Sequence, residues 1–298
     1  MNNQSNVKAH AVVALIALCA VSCLHDCEVS DEVRKAMPMT FTAQHPAQLT
    51  RATDAGFANG DRIGVYVTLA DVPLEIGGNT VNNEALTCNG GAWSASKTLY
   101  WDAGTYTAYA YYPYVPTVGS IEDMPVRVCA DQSAVDEATG LNGYEASDFL
   151  YARTEGVSAS ESPVNLTFRH VMSKLTVRLV KGEDFKGEMP TRAEVYVHNV
   201  VPTATVDLSA GVATRDMYGS VATLKARQQS DYIYSAIIVP QRIINRSPLI
   251  EVEMKGVSYL YESTFVFKPG MEHFVNVVIS DSPDNIKIEI GGELEGWQ

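Results

Sequence analysis

Short runs that alternate apolar and polar residues recur from Met39 to the carboxy end, and glycine, proline and Asn-Gly turns separate them. A period of two puts successive side chains on opposite faces of a strand. Ile63-Gly-Val65-Tyr-Val67-Thr-Leu69 predicts a half-buried strand, and so do Val164–His170, Ser173–Lys181 and Ile286–Ile290. No window sustains a 3.6-residue period beyond one or two turns. Many short strands divided by turns predict an all-β chain built of sandwiches.

Within this pattern Tyr106, Ala108, Ala110 and Tyr112 share one strand face, and Tyr109 and Tyr111 share the other. Pro113 ends that ladder because it has no backbone N–H to donate. Asn89-Gly90-Gly91 marks a hairpin. Residues 115–148 read as irregular, with Pro116, Gly119, Pro125, Gly140 and Gly143 among them. Glu155–Pro163 reads as a joint, which divides the chain into sandwich domains over 52–163 and 164–298. Without residues 1–22 the chain still has the length of one large or two medium domains.

The amino end carries an address. Lys8 precedes a run of small and apolar residues, Ala11 to Ser22. That run is too short to cross a bilayer, which takes about 20 apolar residues, and it fits an export signal. Ala20-Val21-Ser22 before Cys23 fits a lipoprotein signal peptidase, which cuts between Ser22 and Cys23 and leaves Cys23 acylated. Cys19, after bulky Leu18, and Cys27, after Asp26, fit less well. The alternative is a plain secretory signal with an incidental cysteine. Acyl chains on Cys23 would hold the protein on a membrane. Residues 23–51 form a spacer in which Met39-Thr-Phe41-Thr-Ala43 predicts a first strand, and Arg51-Ala52 follows it.

Composition and motifs narrow the chemistry. The formal charge of −13 argues against nucleic-acid binding by phosphate neutralisation. Apolar residues make up 46% and charged ones 19%, enough for a sizeable core and unlike a disordered chain. Cys88 and Cys129 are the only cysteines beyond the spacer. One disulfide between them and two separate buried thiols are both compatible with an exported chain. His10, His25, His45, His170, His198 and His273 make no ligand pair, so no metal site, catalytic constellation or cofactor motif is expected. Glu122-Asp123 and the group Asp131, Asp136 and Glu137 read as solvated loop charge. The aromatic run Tyr100–Tyr114 reads as core packing, with a glycan-stacking face as the alternative.

Several segments together resemble the fimbrillin family of Bacteroidales, the subunits of protease-assembled pili. They are the lipobox at Cys23, Thr50-Arg51-Ala52-Thr53, Phe57–Tyr66, Tyr100-Trp101 with Ala108–Tyr114, Asp148–Ala152, Leu166–Leu175, Phe267–Met271 and Trp297 near the end. The resemblance implies two transthyretin-like β-sandwich domains in tandem and export as a lipoprotein to the bacterial outer membrane and cell surface. It also implies cleavage between Arg51 and Ala52, and partnership with other fimbrial subunits by β-strand addition. Met39, Phe41 and Ala43 would be the inward-facing set of the removable strand. Whether Ile286–Ile290 is a donor strand or the last strand of its own domain stays open. A surface lipoprotein that binds glycans or a host ligand without polymerising is the alternative function.

Overall fold

The computed structural model describes residues 37–46, 56–282 and 287–295. The first strands are β1 (Met37–Pro38), β2 (Phe41–Gln44), β3 (Arg62–Leu69), β4 (Val81–Asn89), β5 (Ala92–Ala95) and β6 (Tyr100–Trp101). They continue as β7 (Thr105–Tyr112), β8 (Met124–Arg127), β9 (Leu150–Ser158), β10 (Val164–Thr167) and β11 (Arg169–His170). Next come β12 (Ser173–Lys181), β13 (Glu194–Val200), β14 (Thr203–Asp207), β15 (Val212–Arg215), β16 (Ala222–Lys225) and β17 (Arg227–Ser230). The last are β18 (Ile233–Ile238), β19 (Gln241–Met254), β20 (Val257–Phe267), β21 (Met271–Ile279) and β22 (Lys287–Glu295). A short helix, α1 (Gly143–Ser147), begins where the Asn142 side chain accepts a hydrogen bond from the Tyr144 N–H. The chain is therefore all-β apart from one helical turn among the described residues.

A six-stranded sheet runs β11-β9-β7-β3-β4-β5, and a five-stranded sheet runs β17-β18-β12-β21-β22. A four-stranded sheet (β16-β13-β19-β20) and a three-stranded one (β15-β14-β8) complete the larger layers. Two short ladders remain, β1-β6 and β10-β2. Both involve the amino-terminal segment.

The central strands of the six-stranded sheet separate two apolar clusters. Tyr106, Ala108, Ala110 and Tyr112 of β7 face one cluster, and Tyr109 and Tyr111 face the other, as the alternation predicts. β3 departs from the half-buried reading. Ile63, Val65 and Val67 enter the first cluster and Tyr66 enters the second, so both faces are covered. Gly64 on β3 makes room for a ring: a Cβ there would stand 2.3 Å from Cε1 of Tyr111. With that space Tyr111 reaches Asn83, donating its hydroxyl to Oδ1 at 2.7 Å.

Three regions differ from the sequence reading. The stretch expected to be irregular contains β8 and α1. β8 carries Pro125 yet forms a strand, because it sits at the edge of the β15-β14-β8 sheet, where a missing N–H costs no ladder bond. The expected joint begins inside β9, since Thr105 and Tyr106 of β7 pair with Ser158 and Val157. Beyond it, Val164, Leu166 and Phe168 still pack in the first cluster, past the break expected at 163/164. The disulfide left open between Cys88 and Cys129 is not formed. Both are free and buried, Cys88 in the β4–β5 hairpin opposite Trp93 and Cys129 beside Ser147. β22 pairs antiparallel with β21 at the rim of the five-stranded sheet, so Ile288 and Glu289 lie in the last strand of the chain's own sheet.

Candidate functional site

The amino-terminal segment Met37–Pro46 lies across the open face of the six-stranded sheet as part of a thin second layer. Met37 and Pro38 pair antiparallel with Trp101 and Tyr100 of β6. Four residues later the same segment pairs with another strand, and in the opposite sense. Phe41, Thr42, Ala43 and Gln44 run parallel to Val164, Asn165, Leu166 and Thr167 of β10. Further backbone bonds fix the register: Met39 N–H to Leu99 C=O at 2.8 Å, Val164 N–H to Thr40 C=O at 2.8 Å, and Phe168 N–H to Gln44 C=O at 3.0 Å.

Alternation decides what points down. Met39 is 7% exposed and Phe41 is 6% exposed. Both sit in the cluster with Ile63, Val65, Trp101, Tyr106, Val164 and Leu166, with Ala43 half-buried against it. Thr40, Thr42 and Gln44 are exposed. The predicted inward-facing set is therefore inward-facing. Burying a side chain such as Phe or Met is worth about 1.5–3 kcal/mol each, so this short segment is well anchored without a long ladder.

β6 and β10 have no hydrogen-bonded strand neighbour other than this segment among the described residues. Its removal would leave an apolar slot with an unpaired strand on each side. Unpaired strand edges beside exposed apolar surface are a template for another chain.

The slot ends in a cavity of about 120 Å³, lined by both apolar and charged residues, His45, Phe57, Asp61, Tyr112, Glu145, Asp148 and Arg227 among them. The buried His45 ring stands edge-on to Phe57, with centroids 4.9 Å apart, and 6.2 Å from the ring of His170. Nδ1 of His170 lies 2.9 Å from the Asp148 carboxylate. Asp61 accepts from the Ala58 N–H at 2.7 Å, and Tyr112 donates to its other oxygen at 3.4 Å. Arg227 approaches Glu145 at 3.6 Å and covers the Tyr144 ring. The Tyr112 hydroxyl is held far above its ordinary pKa, first by burial and then by the charges of Asp61, Glu145 and Asp148.

The sequence places His45 in the spacer and gives it no role. Its signal was there: Met39, Phe41, Ala43 and His45 continue one period-two face. The parallel partner of β2 was not predicted, because it lies more than 120 residues away.

Other expected site residues distribute as follows. Ser22, Cys23, Arg51 and Ala52 lie outside the described residues. Asp136 is paired with Arg127 at 2.7 Å and Asp131 accepts from Ser133. Among the described residues no group of His, Cys, Asp and Glu could hold a metal ion. Trp101, Tyr106, Tyr109, Tyr111 and Tyr112 are buried, so these rings pack the interior and are not open for stacking a sugar.

A family model described as fimbrillin-like matches residues 50–297. Among solved structures, the fold is similar to that of a protein described as a cell adhesion protein from Bacteroides ovatus. The TM-score is 0.68 at 21% identity, over 89% of this chain and 98% of that one. A second such protein, from Bacteroides uniformis, gives a TM-score of 0.64 at 20% identity, over 88% and 98% of the two chains. At these identities the likeness concerns the fold. No curated protein sequence matches the chain.

Proposed function

The chain belongs to the fimbrillin-like family, and from that premise we propose that it is a subunit of a surface fimbrium assembled by strand replacement. Family membership supports a structural or adhesive role at the cell surface and no enzymatic one. In our reading the chain is exported as a lipoprotein through Cys23, reaches the outer membrane, and is cut between Arg51 and Ala52. The segment Met37–Pro46 then leaves, and an extended strand from a neighbouring subunit takes its place between β6 and β10.

One observation carries this reading. The segment on the amino side of Arg51 supplies the hydrogen-bonded partner of two strands that have no other strand partner among the described residues, and buries Met39 and Phe41 beneath them. A strand added to such edges gains main-chain hydrogen bonds, and its alternate side chains fill the slot. Until the cut, the chain's own segment blocks that addition, which keeps subunits from joining before they reach the surface. We read the two apolar clusters as the cores of two sandwich domains, the first of which holds the slot.

Low-dose trypsin on the lipid-free precursor tests the proposal. Cleavage after Arg51 should yield ladders that resist SDS. A trimmed protein that stays monomeric would refute assembly by strand replacement. If it also retained a glycan on an array, a non-polymerising surface adhesin would take its place.

A further inference from the structure

The cavity at the end of the slot bears on which strand can enter it. His45 occupies it in the uncut chain, and in our reading His45 departs with its segment. What remains is lined by three carboxylates, Asp61, Glu145 and Asp148, and one guanidinium, Arg227. His170 stands against Asp148. The carboxylates outnumber the cations even when His170 carries a proton. The elevated pKa of the Tyr112 hydroxyl reports the same field, since all three carboxylates contribute to it after burial.

A strand that enters in the register of β2 delivers a side chain into this cavity four residues after the one replacing Phe41. A carboxylate delivered there would meet like charge, which is unfavourable. A neutral apolar side chain would cover the carboxylates without offsetting their excess negative charge. An ammonium, guanidinium or protonated imidazole would be attracted to them.

We propose that the slot selects, at the position of His45, a donor strand bearing a cationic or protonatable nitrogen side chain. This proposal rests on the strand-replacement reading. It also disfavours one donor. The carboxy-terminal segment of this chain has the alternating isoleucines Ile286, Ile288 and Ile290. Aligned parallel to β10, it can set two neighbouring isoleucines where Met39 and Phe41 lie in two registers. These bring Gly292 or Leu294 to the cavity, and neither is a cation. Glu289, Glu293 and Glu295 add negative charge along the same segment. On this preference the segment 284–295 is a poor donor for the slot of another copy.

The test uses lipid-free protein cut after Arg51 and a labelled synthetic peptide of residues 37–48. Competing peptides carry His45→Lys or His45→Glu, or reproduce residues 284–295. The His45→Lys peptide should compete at least as well as the native one. The His45→Glu peptide and the 284–295 peptide should each compete at least about tenfold less well, with the Lys–Glu gap narrowing at high salt. In the uncut full chain the same two substitutions should rank the same way in unfolding midpoint, a readout that needs no cleavage. If the native peptide binds but His45→Glu competes as well as His45→Lys, the charge preference is overturned and strand replacement stands. The 284–295 peptide matching the native one would likewise overturn it. If the native peptide itself fails to bind the cut protein, both the preference and the strand-replacement reading fall.

Discussion

Phe41→Ala in the full-length protein should loosen the amino-terminal segment without unfolding the rest. Phe41 is 6% exposed, and truncating a buried phenylalanine costs about 3–5 kcal/mol. The low end applies here, because the segment is short and its neighbours can partly close over the gap. At about 1.4 kcal/mol per factor of ten, a loss of about 3 kcal/mol raises the detached population roughly a hundredfold. Two amides report it directly. Val164 donates to Thr40 and Phe168 donates to Gln44, so both lose their acceptors when the segment lifts away. Hydrogen exchange at these amides should accelerate by about a hundredfold, while amides of β12 and β21, paired over eight residue positions, should not change. Thr42→Ala, at an exposed position of the same strand, should shift exchange by less than about 0.5 kcal/mol. Unchanged protection at Val164 and Phe168 would show that Phe41 does not hold the segment down. Equal acceleration throughout the chain would refute the idea that the segment detaches on its own.

Two further predictions concern the body of the fold. Gly64→Ala should destabilise by about 1–3 kcal/mol in chemical denaturation, since the new Cβ would overlap the Tyr111 ring and dislodge its hydroxyl from Asn83. His273 is held below its ordinary pKa, first by burial and then by a balance in which Lys268 lowers it and Glu293 raises it. Its Nε2 also accepts the Lys268 N–H at 3.1 Å, which needs that nitrogen unprotonated. The folded state therefore favours neutral His273, so the stability it contributes is present above about pH 6.5 and is lost as pH falls through the folded-state value. Denaturation midpoints of His273→Gln should fall less steeply than wild type over that acid range, and parallel slopes would refute the assignment.

Local sequence determined which segments are strands and which way their side chains point. Met39 and Phe41 face inward for the same reason that Tyr106 and Tyr112 do: a pleated strand turns every second residue to the same side. The same rule extended by two residues would have aimed His45 at the cavity. What sequence could not reveal is who lies beside whom. β8 forms although Pro125 interrupts its pattern, because its place at a sheet edge spares the missing donor, and edge or centre is a property of the whole sheet. β9 runs on into the expected joint because β7 offers it backbone partners.

The amino-terminal segment makes the division plainest. Its alternation specified a buried face, but its position depends on bridging β6 and β10, drawn from residues 100–101 and 164–167. Nothing in the alternation of so short a segment encodes a parallel partner more than 120 residues downstream. Strand pairing is chosen when the sheets stack and their apolar faces close over one another. So the bridging of β6 and β10 by this segment, and the acid-lined cavity at its end, exist only in the folded chain.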